Sequence, residues 1–231
     1  MKPFQLLIGL LVVIGVSAAA GRALRGRPSG AGTPSQAAVG TFPKDVYANT
    51  GNRLPAIKRE DLDDAGKKLF DARGPVDSFG PGAIRMYSPL VAAHMEGVND
   101  YLRHKSGLDP RLVELAILVT AREEDCEYVW TAHEPQGLKL GLEPQTIDIV
   151  RFRKSAEGLP EKDAVIIQLG REAIGKHHAG SDVAARALNL FGKQGTVNYV
   201  SLMGDYAATA ILLNAFDQRV RQTDKPLLPI P

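Results

Sequence analysis

The chain of 231 residues contains one cysteine, Cys126, so no disulfide can form within it. In an oxidising compartment its stability must therefore come from packing alone. The 28 Lys and Arg residues nearly balance the 26 Asp and Glu residues, and the formal net charge is +2. We find no basic stripe with interleaved aromatic residues. The composition therefore gives no support for a nucleic-acid partner.

Several other signatures are also missing. No apolar run reaches the roughly 20 residues that span a bilayer comfortably, and no alternating pattern of convincing length predicts β-strands. The sequence has neither a Gly-rich phosphate loop followed by a helix nor a G-x-S-x-G elbow. Its histidines lack the clustered spacing of a metal site. We therefore predict neither a metal nor a cofactor.

The amino terminus differs in composition from the rest of the chain. Lys2 precedes an apolar run from Leu6 to Val16, which ends in small residues at 17–21. This pattern indicates a secretory signal peptide over residues 1–20, cleaved after Ala20. The alternative is an uncleaved anchor, and three arginines directly after the run complicate either form of export. We expect a periplasmic or extracellular protein that meets the membrane only through a possible N-terminal anchor.

The remaining chain divides by composition. Residues 21–55 are predicted to be a flexible tether and an extended lead-in, 56–222 a helical domain, and 223–231 a Pro-rich tail. Start signals such as Ser88-Pro89 and Asp109-Pro110, and stop signals such as Gly141, predict an all-α fold of about eight helices. The helices are expected at about 59–73, 88–107, 109–121, 125–141 with a kink at Pro135, from 144, 160–177, 181–192 and 196–219.

Three side chains in the third and fourth predicted helices carry the chemistry. Glu114 lies in a strongly apolar helix, and an unpaired buried carboxylate is costly. It is either an ion-pair partner of Arg111 or Arg122, or a general base whose pKa is raised by desolvation. Cys126 lies seven residues before His133, so both project from nearly the same helix face.

The environment of these residues suggests their roles. Cys126 falls in the first turn of its helix, where the helix dipole is expected to stabilise a thiolate, although a small core residue is the alternative. His133 is either a satisfied core histidine or part of the site. Trp130 is expected to wall the same pocket, together with Tyr128 and Val129.

At these residues the chain resembles the carboxymuconolactone decarboxylase family, also called alkylhydroperoxidase D-like. The resemblance covers roughly 59–220 and includes an R-x-x-E-x-A-I-L helix followed by E-Y-x-W-x-x-H. It implies an all-helical fold that usually builds homo-oligomers, often trimers or hexamers. In peroxidase members, Glu114 would match the relay glutamate, Cys126 the first cysteine and His133 the histidine. The second, peroxide-attacking cysteine is Val129 here, which removes the dithiol cycle.

Three hypotheses follow. The leading one is a cofactor-free enzyme in which Glu114 and His133 exchange protons with a small lactone or carboxylate substrate. The second is a single-cysteine peroxidase that oxidises Cys126 and depends on an external thiol. The third is a non-catalytic, exported oligomer that binds a ligand or a partner. Homo-oligomers are also expected because segments such as LVELAILV and YAATAILLNAF are too apolar for one small bundle to bury.

Overall fold

The computed structural model describes residues 42–73 and 77–230, and it consists of helices joined by turns. The helices are α1 (Asp64–Arg73), α2 (Pro81–Arg85), α3 (Pro89–Asp100), α4 (Pro110–Glu123), α5 (Glu127–Lys139), α6 (Pro144–Arg151), α7 (Glu161–Gly170) and α8 (Ser181–Ala215). Over these ranges there is no β-strand, only an isolated bridge between Tyr47 and Asn52. The predicted all-α fold is confirmed. The predicted signal peptide and most of the tether lie outside the described residues.

Helix α4 forms the centre of the fold. Asp109 caps it by accepting a hydrogen bond from the Arg111 backbone N–H at 2.9 Å, and Pro110 occupies its first position. Every residue from 112 to 122 is buried, and α4 packs against α5, α6, α7 and α8. A helix that is apolar on all sides belongs inside a core, as the sequence indicated. Any polar side chain on α4 must therefore find its partner within the protein.

The observed helix limits differ from the predicted ones in several places. The first predicted helix begins with a separate 3-10 turn, Arg59–Asp61. Helix α2 was not predicted, because five residues are too few to show a helical period. Helix α5 continues through Pro135. The last two predicted helices form one element, α8, which is interrupted at Gly192 by a non-helical backbone (φ 67°, ψ 176°). The predicted break between these two helices therefore lies at Gly192, as the sequence indicated.

Two helices end in a π turn. Tyr101–Lys105 continues α3, and Arg171–Gly175 continues α7. Single π turns in proteins occur frequently at functional sites. The first of them carries Arg103, whose side chain reaches α4. Among the helices of the described chain, none is both long and apolar enough to cross a bilayer.

The lead-in and the C-terminal segment meet at Gln218. Its buried amide donates to the Thr50 carbonyl at 3.0 Å and accepts from the Asn52 side chain at 2.9 Å. The same amide oxygen accepts from the Gly80 backbone N–H at 3.1 Å. One side chain thus ties both ends of the described fold to the residue that precedes α2.

Candidate functional site

Glu114, on the central helix, is held by two partners from other elements. Its Oε1 accepts a hydrogen bond from Arg103 Nη2 at 3.1 Å, and its Oε2 lies 2.7 Å from His133 Nδ1. The Glu114 side chain is only 4% exposed. The structure thus brings Glu114 and His133 together, although they are 19 residues apart in sequence.

The ion-pair partners predicted for Glu114 were wrong. Arg111 instead forms two hydrogen bonds with the buried carboxylate of Asp163, at 2.7 and 2.8 Å. Arg122 pairs with Asp125, three residues further along the chain. Neither arginine pairs with Glu114, because each has a nearer carboxylate as its partner. The actual partner, Arg103, comes from the π turn that precedes α4.

The predicted direction of the Glu114 pKa was also wrong. Burial raises the pKa of this carboxyl, but the hydrogen bond and charge of His133, together with the charge of Arg103, outweigh burial and lower it below 4.5. Glu114 is therefore an anion at neutral pH. It is suited to orienting a neighbouring group rather than to taking a proton from a substrate.

The anionic Glu114 fixes the tautomer of His133. Because the carboxylate only accepts hydrogen bonds, His133 Nδ1 must carry a proton, which leaves Nε2 as the basic nitrogen of the neutral ring. The ring lies edge-on to Tyr206, with centroids 5.1 Å apart and planes at 88°. Among the described residues, no group forms a hydrogen bond with Nε2. The geometry thus presents a histidine with one nitrogen anchored and the other available.

His133 lies in the wall of a cavity of about 250 Å³ between α2, α3, α5 and α8. The lining combines charged side chains of both signs with amide, hydroxyl and apolar ones: Pro81, Gly82, Arg85, Ala92, Glu96, Asn99, Arg103, Tyr128, Val129, Ala132, His133, Tyr206 and Thr209. Burial raises the pKa of Tyr206 to about 12, so its hydroxyl remains protonated across the physiological range. We call this space the His133 cavity. Its size suits a small molecule rather than a peptide.

This arrangement lies in a segment that matches a family model. The model of the "Carboxymuconolactone decarboxylase family" matches residues 89–169, which run from α3 to α7 and include Glu114, Cys126 and His133. This match supports the resemblance to the carboxymuconolactone decarboxylase family over these residues. Comparison with curated protein sequences finds no match.

A solved structure shares the fold. It is described as the alkylhydroperoxidase AhpD core of an uncharacterized peroxidase-related protein from Ralstonia eutropha JMP134. The likeness covers 74% of this chain and 93% of that chain, with a TM-score of 0.58 and 17% sequence identity. At this identity the likeness establishes the alkylhydroperoxidase D-like fold and no activity.

Within the family segment, the three residues predicted to line a pocket divide into two groups. Tyr128 and Val129 line the His133 cavity. Trp130 does not belong to that lining. It is fully buried, its Nε1 donates to Glu134 at 2.6 Å, and the Arg151 guanidinium lies 5.5 Å from its ring centroid. Trp130 is therefore a core residue.

Cys126 is also a core residue. It is 1% exposed, belongs to the main hydrophobic cluster and is absent from the lining of the His133 cavity. Burial raises the pKa of its thiol to about 11, against the lowering effect of the backbone N–H groups of Val129 and Tyr128. The prediction that the helix start would stabilise a thiolate was wrong because desolvation exceeds the effect of these dipoles.

Sequence reasoning missed several residues of the cavity. Arg85 comes from the unpredicted helix α2, and its Nη2 donates to Thr209 on α8 at 2.6 Å. Tyr206 and Thr209 occur in an apolar stretch that reads as ordinary core. All three lie outside the matched segment 89–169. The one local signal was the spacing of three between Tyr206 and Thr209, which places both on one face of α8.

Proposed function

We propose that this protein is a cofactor-free acid–base enzyme that acts on a small lactone or carboxylate molecule, with lyase chemistry of the decarboxylase type. One observation carries the proposal: His133 is anchored through Nδ1 to a buried anionic Glu114 and forms part of a cavity wall. A purely structural histidine in a core has no need of an adjoining cavity. Proton transfer by a group positioned in this way typically contributes about 10²–10⁴-fold in rate.

The roles of the residues follow from their charges. His133 Nε2 exchanges the proton with the substrate. Glu114 stays ionised, keeps Nδ1 protonated and stabilises the imidazolium that donates the Nε2 proton. Arg103 holds the other oxygen of Glu114 and so fixes the carboxylate. Glu114 and Arg103 act through His133 and are therefore positioning residues.

A decarboxylation at this site balances without a cofactor. The bond between carbon and the departing carboxylate breaks, CO₂ leaves, and the electron pair passes into a carbonyl conjugated with that carbon. The His133 imidazolium then donates its Nε2 proton to the carbon, and the neutral ring regains a proton from solvent. The protonated hydroxyl of Tyr206, at the same cavity, is available to the developing enolate oxygen.

Two observations favour this function over the other hypotheses. The position of the attacking cysteine of peroxidase members is Val129, and Cys126 is buried with a raised thiol pKa. A single-cysteine peroxidase needs the opposite environment. A binding protein without catalysis has no use for Glu114 and His133 at 2.7 Å beside a cavity.

The test is turnover of a panel of lactone acids and β-keto acids. Glu114→Gln and His133→Ala should each remove most activity, and the double variant should be little worse than either single one because the two residues act as a unit. His94→Ala is the matched control, since His94 is an exposed histidine on α3 outside the cavity lining. Full activity in both site variants would end the proposal.

We also propose that the protein is an exported homo-oligomer, a trimer or hexamer. Support comes from apolar side chains that lie exposed on α3 and α8: Leu90 (64%), Val197 (62%) and Ile211 (60%). Light scattering on protein lacking residues 1–40 tests the assembly, and a stable monomer would refute it. Fractionation of the full-length protein tests export, and recovery in the cytosol would refute it.

A further inference from the structure

A second cavity, of about 420 Å³, lies between the π turn Tyr101–Lys105, the start of α4 and the end of α5. We call it the Lys139 pocket, after the residue that ends α5. Arg103 lines both this pocket and the His133 cavity, and Glu114 belongs to the lining of the Lys139 pocket. His133 does not line it. The Lys139 pocket is therefore a separate space that meets the proposed machinery through its two positioning residues.

Basic side chains from two elements meet at this pocket. Arg103 and His104 come from the π turn, and Lys139 comes from α5. Among the described residues, neither His104 nor Lys139 forms an ion pair. Asp100, an acid at the end of α3, pairs with Lys105 instead. Two basic groups at the Lys139 pocket thus have no anionic contact within the described chain.

Arg103 adds hydrogen-bond donors that are not in use. Its side chain makes one hydrogen bond, from Nη2 to Glu114 at 3.1 Å, and it is 25% exposed. A guanidinium offers five N–H donors, so most of them remain. The buried Nε has no partner among the described residues, which is uncommon for a buried donor. Arg103 therefore has the capacity to donate to a ligand as well as to Glu114.

Glu114 is the one acid in the lining, and it does not offer a cation site. Its Oε1 accepts from Arg103, and its Oε2 lies 2.7 Å from His133 Nδ1. The side chain is only 4% exposed. One engaged carboxylate faces three basic side chains, so the charge of the lining favours an anionic ligand.

The rest of the lining is mainly apolar. Leu108, Pro110, Val113 and Leu140 contribute to the wall, and Gln136 adds a side-chain amide. A volume of about 420 Å³ falls within the roughly 300–1,000 Å³ of typical small-molecule pockets. The lining therefore suits a small molecule that has an apolar body and one anionic group.

We propose that the Lys139 pocket is an effector site for a small phosphate monoester. A phosphate carries about −1.5 to −2 charges near pH 7 and three acceptor oxygens, which matches three basic side chains better than a carboxylate with two oxygens does. Because Arg103 also holds Glu114, a bound phosphate competes with Glu114 for the guanidinium. Binding in this pocket is thereby coupled to the Glu114–His133 pair. The existence of the site does not depend on the reaction proposed above.

Titration calorimetry on the full chain tests the binding, with phenyl phosphate, inorganic phosphate and phenol as probes. Phenyl phosphate should bind, inorganic phosphate should bind about 10-fold more weakly because it lacks the apolar body, and phenol should not bind. Lys139→Met should weaken phenyl phosphate binding about 10-fold, as expected for the loss of a charged hydrogen bond. His104→Ala should weaken it about 3- to 10-fold.

The matched control is Lys193→Met, which removes an exposed lysine on α8 that is absent from the lining. It should leave the affinity for phenyl phosphate unchanged. Equal affinities in Lys139→Met and Lys193→Met would overturn the proposal, because the phosphate would then bind elsewhere. The proposal would also fail if phenyl phosphate did not bind the parent protein, or if phenol bound as well as phenyl phosphate.

Glu114→Gln tests the coupling in a direction that a merely structural role does not predict. It removes the one negative charge of the lining and frees Arg103 from a charged partner, so phenyl phosphate should bind about 3- to 10-fold more tightly. Unchanged or weaker binding would contradict the coupling. The same substitution should lower turnover if the function proposed above is correct. A protein that binds phenyl phosphate in this pattern but turns over no lactone or keto acid would refute that function and leave the effector site in place.

Discussion

The lone thiol offers the most direct measurement on this protein. Burial raises the pKa of Cys126 from 9.0 to about 11, which at about pH 8 lowers the thiolate fraction about 100-fold. A more basic thiolate is a better nucleophile, and a Brønsted slope of about 0.4–0.5 raises the reaction rate of the thiolate by a factor of about 6–10. Ionisation alone therefore slows alkylation in the folded protein about 10-fold.

Access slows the reaction further. Cys126 is 1% exposed, so a reagent reaches it only when the surrounding core opens. Every 1.4 kcal/mol of opening free energy contributes another factor of about ten. We expect native Cys126 to react with iodoacetamide at least about 100-fold more slowly than the same thiol in guanidinium, because the buried thiol is both poorly ionised and inaccessible, and reaction through the open state requires about 3 kcal/mol or more of opening free energy.

The assay follows alkylation by mass spectrometry across pH, with dimedone added after peroxide to trap any sulfenic acid. The double variant Cys126→Ser with Val129→Cys is the positive control, because it moves the thiol to the lining of the His133 cavity. It should label faster than the parent. Native labelling within about tenfold of the denatured rate, or a trapped sulfenate at Cys126, would refute the reasoning and revive the peroxidase hypothesis.

Three further predictions concern stability. Gly170→Ala would bring a Cβ to 2.4 Å from a methyl group on α4, so it should lower the free energy of unfolding in urea by about 1–3 kcal/mol. Gly204 has open space around it, so Gly204→Ala should raise the free energy of unfolding by about 0.5–1 kcal/mol. Equal effects of the two substitutions would contradict the described packing at Gly170. Asp163→Ala leaves Arg111 unpaired and should cost about 3 kcal/mol, which replacing both residues by apolar ones should largely restore. The lowered pKa of Glu114 stabilises the fold above pH 4.5, and this stabilisation is lost as the pH falls through the pKa of the folded state. Glu114→Gln should therefore be less stable than the parent at neutral pH, and the difference in unfolding free energy between the two proteins should narrow in acid. A gap that stays constant with pH would show that the carboxylate contributes no charge-dependent stability.

Sequence reasoning succeeded where the signal is local. Proline at the first position of α3, α4 and α6 marks their starts, because its fixed φ suits a helix and its missing N–H leaves no hydrogen bond unmade at that position. The break at Gly192 follows from its positive φ, which other residues rarely adopt. The pairing of Glu114 with His133 could also be anticipated, since the two residues lie in the two motifs that carry the family resemblance.

The site residues that were not predicted, and the wrong prediction for Cys126, share a different cause. Arg85 and Arg103 reach the site through tertiary packing, and nothing in their immediate sequence distinguishes them from surface arginines. The Cys126 thiol was assigned from its place at a helix start, but its ionisation depends on burial by distant segments. Burial and long-range partners decide electrostatics, and neither can be read from a short stretch of sequence.

The contacts of Gln218 have a consequence for the order in which the fold forms. Its amide bonds to Asn52 and Gly80 join residues separated by 166 and 138 positions. Such contacts carry a large loop-closure entropy and form late in folding. During synthesis, the residues before α2 have no Gln218 to bind until nearly the whole domain has left the ribosome. The wall that supplies Arg85 is therefore completed last, and a nascent chain has its Glu114–His133 pair before it has a closed cavity.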